Sequence, residues 1–368
     1  MYTPDHAASE AQPVNTDVDK ELEKKAYFKS ISVHCNQYKE ASTSRSLIQF
    51  FVTCTLFLVS AVAMIMAFAS GAWLIYGLLL LPTSGFLVRL FIMQHDCGHG
   101  AFFKTPKAND LLGRFISILT WTPFYYWKRM HNIHHAGSGN LDRRGYGSIE
   151  TLTTSEYKAL SKSDRFKYRL YRTPLILLGL GTPLFIIIGQ RFPMTQPFLH
   201  PETAKKINFS GSNVLKSVLW TNLVLAIIYG IIGHFVGYVT ILAAYLPIVV
   251  VTAWGGGWLF YIQHQFEDTY WDQSKKWSYN EAALMGSSYY DLPKVLQWFT
   301  GNIGIHHVHH LNASIPNYRL QECLDDLPEL KNINRITIKD SFKCAKWALW
   351  DEEARKMISF STLKEKAA

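Results

Sequence analysis

Two long stretches of this chain carry no charged side chain. Residues 46–88, between Arg45 and Arg89, are 43 positions without Asp, Glu, Lys or Arg, and residues 217–266, between Lys216 and Glu267, are another 50. As one helix the first would measure roughly 65 Å at about 1.5 Å per residue, twice the ~30 Å hydrocarbon core of a bilayer. Each stretch is therefore long enough for two crossings. Charged residues make up 18% of the chain, against about a quarter in soluble domains. A soluble enzyme, a secreted disulfide scaffold and a disordered chain are excluded. So is a transmembrane β-barrel, whose short alternating segments are missing. The first stretch turns near Ser70-Gly71; the second runs from Ser217 to about Gly233, turns at residues 234–237 and returns to about Phe260. The expected fold is an all-α integral membrane protein with four transmembrane helices in two hairpins and a cytoplasmic histidine-rich cap. Residues 1–44 read as a cytoplasmic N-terminal segment, 45–320 as the membrane domain and 321–368 as a cytoplasmic C-terminal cap.

Two shorter apolar stretches do not cross. Phe115 to Trp127 is 13 residues long, and its aromatic load (Trp121, Phe124, Tyr125, Tyr126, Trp127) suits the headgroup level. Thr173 to Gln190 holds Pro174 and Pro183 and is basic at both ends: Arg165, Lys167, Arg169 and Arg172 before it, Arg191, Lys205 and Lys206 after it. Positive charge on both flanks makes it interfacial or re-entrant. These choices put the N-terminus, residues 89–216 and everything beyond Glu267 on one side. The net charge of +9 makes that side the cytoplasm and suits contact with anionic lipid. No basic run is long enough for nucleic-acid binding. The five cysteines are scattered, with no C-x-x-C, so neither a disulfide framework nor an iron–sulfur cluster is indicated. No signal-peptide pattern precedes the first span, which is expected to direct insertion.

Fourteen histidines are present, ten of them in four places near the ends of the expected spans. His95 and His99 sit in HDCGHG, His131, His134 and His135 in HNIHH, His264 in YIQHQFED, and His306, His307, His309 and His310 in GIHHVHH. On a helix, positions i, i+3 and i+4 share a face, so H-x-x-x-H and H-x-x-H-H aim imidazoles at a common point. Imidazole suits iron, zinc, copper and nickel. His95, His99, His131, His134, His135, His306, His309 and His310 are too many for one zinc site of three or four protein ligands. Two metals sharing them, with His264, is the natural count, and a redox-active iron pair fits best. H-D-C-G-H alone also resembles a zinc-hydrolase helix with Asp for Glu. His264 alone is also readable as an interfacial histidine satisfied by a backbone carbonyl. His307 points away from the face of its neighbours, toward a supporting or surface role, and His6, His34, His200 and His234 carry no metal reading. Asp96 either orients a neighbouring ligand or is a solvated cap. Asn302 either holds a metal-bound water or caps backbone.

HDCGHG, HNIHH and HHVHH, in this order on a four-span plan, resemble the membrane fatty acid desaturase family, most closely its acyl-lipid delta-12/omega branch. WTPFYYWKRMHNIHH, GNLDRRGYGSIETLT, YIQHQFEDTYW and GNIGIHHVHHLNASIPNY extend the likeness over about Arg89 to Arg319. The resemblance implies a non-haem diiron centre, two Fe ions bound by the eight box histidines, with His264 matching in placement a ninth ligand. Acyl-CoA relatives carry an Asn four residues before that histidine. Here the position is Phe260, so the water-mediated ligand is missing or supplied elsewhere, Asn302 being one choice.

The implied activity is oxygen-dependent insertion of a cis double bond into a fatty acyl chain, expected to be lipid-linked. An apolar tunnel would select the methylenes by length and bend, with Trp121, Tyr125, Trp127, Trp254 and Trp258 as candidate lining. The chain has no flavin fingerprint and no haem loop of a fused cytochrome, so an external donor, a ferredoxin or cytochrome b5, is required. Lys128, Arg129, Arg143 and Arg144 would suit its docking, or lipid phosphate. The rival reading is a diiron hydroxylase or ketolase of acyl, alkane or carotenoid substrates on the same scaffold. A zinc hydrolase and a non-catalytic membrane protein are more distant alternatives. A bacterial inner membrane is the expected location, with the endoplasmic reticulum as the other choice.

Overall fold

Each uncharged stretch folds as a helical hairpin. The computed structural model describes residues 16–145, 147–192 and 212–365, and its four long apolar helices are Thr43–Ala69, Trp73–His99, Ser212–Val236 and Tyr238–His264. The first pair turns through Gly71 at φ +71° and the second through Gly237 at φ +95°, left-handed conformations that glycine adopts without a Cβ clash. The second and fourth helices have 27 residues each, about 40 Å. They outrun a ~30 Å hydrocarbon layer, long enough for the last turns, with His95, His99 and His264, to project past it.

Both of these helices contain an interior proline, Pro82 and Pro247, which cannot donate to the carbonyl four residues earlier. The Ala243 carbonyl freed by Pro247 accepts instead from the Tyr76 hydroxyl at 2.9 Å. Nearby, the Thr252 hydroxyl donates to the Ser84 carbonyl at 3.2 Å. In a bilayer interior no water would satisfy these groups, so the repair is made across the helix interface. Exposed Leu74, Leu78, Leu81, Leu219 and Ile231 face outward from the bundle, as lipid contact requires.

The short apolar stretches behave differently from each other. Phe115–Trp127 is divided between the helices Pro106–Thr120 and Phe124–Gly137, with Trp121 left-handed at φ 56° in the break. Its aromatic residues do not simply line an interface: Phe124 and Tyr126 are fully buried in protein, and Trp121 stacks on Tyr245 while its Nε1 donates to the Tyr229 hydroxyl. Thr173–Gln190 forms a distorted helix over residues 175–191, bent 59° from the preceding helix Lys162–Arg172. It seats on the glycine run of the fourth span. The Trp254 indole donates to the Gly179 carbonyl, and a Cβ on Gly257 would stand 2.5 Å from Thr182 Cγ2.

The remaining described residues form the cap. The helix Thr16–Cys35 packs Phe28, Ile31 and Cys35 against Val308, Leu311, Cys323, Leu324 and Leu330. The third histidine box is thus buttressed by both flanks of the chain. Two small sheets complete the cap. Leu349–Asp351 pairs with Leu152–Thr153 in parallel and with Lys356–Ile358 antiparallel, and Tyr289–Asp291 pairs with Arg335–Thr337 in parallel. These strands, absent from the sequence expectation, are two or three residues long, too short to show an alternating pattern.

Candidate metal centre

Four helix ends meet beneath the cap. His95 and His99 lie one turn apart in the last turns of the second span, with ring centroids 4.7 Å from each other. His131, His134 and His135 share the inward face of Phe124–Gly137, His264 closes the fourth span, and His306, His309 and His310 come from the short helix His306–Leu311. Their ring nitrogens gather in two groups: His95, His99, His131, His135 and His309 in one, His134, His264, His306 and His310 in the other.

The spacing inside each group fits a shared ion. Nε2 of His135 is 3.0 Å from that of His131 and 3.1 Å from that of His309. Nε2 of His264 is 3.1 Å from that of His134 and 3.0 Å from that of His306. Nitrogens about 2.1 Å from one ion and at right angles around it stand about 3.0 Å apart. Hydrogen bonds alone do not account for the convergence, because a neutral imidazole has one N–H and a single proton cannot serve three facing nitrogens. Nε2 of His95, His99 and His310 is buried without a hydrogen-bond partner among the described residues, as expected of lone pairs kept for a cation. Burial pushes His131, His134, His135, His306, His309 and His310 well below the ordinary 6.5, the neutral state that ligation needs.

Neighbouring groups fix the rings. Asp96 is 2% exposed, so it is not a solvated cap; it meets His95 Nδ1 and also holds Asn317. His264 Nδ1 donates to the Gly286 carbonyl at 3.1 Å, leaving Nε2 to the cluster. Both carbonyl satisfaction and cluster membership, the two alternatives for this residue, are thus present at once, on opposite nitrogens. Trp127 stacks on His131 at 4.5 Å and 18°, four residues earlier on the same helix face. Asn317 and Gly286 were not singled out in the sequence; Trp127 was, but as tunnel lining.

Other candidates stand apart. His307 points away from both clusters, as its spacing requires, but into the cap rather than to the surface, meeting the Leu330 carbonyl at 3.0 Å. Asn302 has φ 57° and donates its amide to the Asn317 carbonyl, the backbone-holding role. Phe260 places its ring 5.2 Å from His134 and 5.5 Å from His264, so no amide stands at that position. His34 meets the Cys323 carbonyl, and His234 is exposed in the last turn of the third span; His6 and His200 lie outside the described residues. Of the tunnel candidates, Trp127 touches the clusters, whereas Trp121, Tyr125 and Trp254 are engaged elsewhere by hydrogen bonds and Trp258 packs on Phe342. Arg144 is buried and doubly bonded to Glu156, and Lys128 pairs with Asp110, so neither is a free docking cation.

Comparison with known proteins agrees with this geometry. Residues 71–332 match the family model described as "Fatty acid desaturase". A Bacillus subtilis (strain 168) protein named "Fatty acid desaturase" is 41% identical over 284 residues, 77% of this chain and 76% of that protein. A chloroplastic omega-3 fatty acid desaturase of Brassica napus is 27% identical over 73% of this chain and 66% of its own length. An Arabidopsis thaliana protein named "sn-2 acyl-lipid omega-3 desaturase (ferredoxin), chloroplastic" is 27% identical over 73% of this chain and 60% of its own length. The chain belongs to the fatty acid desaturase family.

Proposed function

We propose that the two histidine groups hold a pair of iron ions and that the chain introduces a cis double bond into a lipid-linked fatty acyl chain. The convergence of nine imidazoles into groups of five and four carries this reading. An all-histidine donor set is compatible with several transition metals; membership of a desaturase family supports iron among them and disfavours a hydroxylase or ketolase. When bound, iron supplies the oxygen activation needed to attack unactivated C–H bonds. Asp96 and the Gly286 carbonyl hold His95 and His264 in their tautomers, and burial keeps the imidazoles neutral and water away from a reactive site. A saturated chain offers no functional group to read, so apolar walls must select the bond by position. Trp127, against His131, is the wall residue nearest the clusters.

Balance requires two electrons from outside, and an external ferredoxin or cytochrome b5 is the proposed donor; ferredoxin appears in the name of the Arabidopsis relative. The basic flanks of the spans support a cytoplasmic location for the histidine-bearing ends and the cap, and the membrane proposed is a bacterial inner membrane. Expression with a suitable donor, feeding of isotope-labelled stearate and oleate, and mass spectrometry with double-bond localisation test the activity. A labelled alkene absent from a His131→Ala control is the expected product. A labelled hydroxy acid would transfer the chain to the rival reading.

A further inference from the structure

A narrow pocket, continuous with solvent, opens between the end of the helix Phe124–Gly137 and the end of the fourth span. His134 and His264, both in the four-histidine group, form part of its lining, as does Phe260. Apolar side chains (Ile133, Ile149, Phe260) share its wall with polar and cationic ones. Among the described residues no carboxylate lines it, whereas Ser138, Ser148 and two arginines do. The Arg144 charge is neutralised by Glu156. Arg143 is exposed at the pocket and has no ion pair among the described residues. Trp271 also lines it, 6% exposed, with an indole N–H that finds no acceptor among the described residues. A buried donor left without a partner costs about 1–3 kcal/mol, and an acceptor reaching it from the pocket would remove that cost.

The reaction gives this opening a purpose. Removing two hydrogens from adjacent methylenes with O₂ and two electrons consumes two protons and forms one C=C bond and two waters. Those protons and waters must cross the wall of a buried site, and an acyl chain arriving through apolar surroundings gives them no path. We propose that the pocket is a polar port to the four-histidine cluster that admits water and small inorganic anions, held between the Trp271 indole N–H and the Arg143 guanidinium. The inference rests on the reading that this cluster binds iron.

Azide serves as the probe. The iron-loaded full chain in detergent is titrated with azide while the anion-to-metal absorption band is followed, with iron content measured on each sample. Trp271→Phe, which removes one hydrogen bond, is expected to weaken azide about fivefold or more. Arg143→Gln, at an exposed position with no ion pair among the described residues, should weaken it comparably and flatten its dependence on ionic strength. Lys339→Gln, exposed on the helix Ile338–Cys344, should bind as the parent does. Unaltered azide affinity in both pocket variants, with iron retained, overturns the port alone. A chain that binds no iron at all overturns the centre and the port together.

Discussion

Asp96 Oδ1 stands 3.1 Å from Nδ1 of His95, while Oδ2 accepts the backbone and side-chain amides of Asn317 at 2.6 and 2.8 Å. One buried carboxylate thus ties the second span, through a cluster histidine, to the segment that follows the third histidine box. Asp96→Asn removes the charge that sets the His95 tautomer. Groups of this kind typically contribute 10–100-fold to metal affinity, so metal should be lost at about that much lower chelator concentration. Asp96→Ala should also lower thermal stability, because the Asn317 donors lose their acceptor.

His307 separates folding from ligation. It is fully buried, and desolvation lowers its pKa to about 4 despite hydrogen bonds with Leu330 and Ser288. Above pH 6.5 it is neutral both folded and unfolded, and it costs nothing. As pH falls from 6.5 toward 4 the unfolded chain takes up a proton that the folded chain refuses, and stability drops by on the order of 3 kcal/mol. His307→Gln keeps a donor for the Leu330 carbonyl and should remove that part of the decline. Denaturation curves at pH 7 and pH 5 in detergent check it, and metal content at pH 7 should not change.

Asn302 tests the water-ligand idea. Its φ of 57° and its bond to Asn317 describe a turn. Asn302→Gly should leave both metal content and stability nearly unchanged, while Asn302→Ala should cost about 1–2 kcal/mol from the left-handed backbone. Loss of metal in the glycine variant would return Asn302 to the site.

Adjacent glycines of the fourth span should respond with opposite signs. A Cβ on Gly256 meets nothing within 4 Å, whereas one on Gly257 stands 2.5 Å from Thr182 Cγ2. Gly256→Ala should stabilise by about 0.5–1 kcal/mol through helix propensity. Gly257→Leu should destabilise by about 1–3 kcal/mol through overpacking and expose residues 175–191 to protease.

The long-range plan was legible because two simple physical signals are strong. Runs without charge mark the hairpins that Gly71 and Gly237 close, and i, i+3, i+4 spacing marks the inward faces of the helices bearing His131 and His306. Even the Phe260 departure could be located. What stayed hidden depends on contacts distant in sequence. Nothing local signals that Gly286 offers its carbonyl to His264, that Asn317 shares Asp96 with His95, or that Glu156 ties down Arg144. Phe28 and Ile31 look like ordinary residues of a polar segment until Val308 and Leu324 supply the other half of their core.

Metal stoichiometry tests the central claim most directly. Purified protein should hold two irons per chain by elemental analysis, with Mössbauer spectra of nitrogen-ligated, non-haem sites. His131→Ala, in the five-histidine group, and His134→Ala, in the four-histidine group, should each lower the count while the chain stays folded. A single zinc per chain, or two irons fully retained in both variants, would contradict the account.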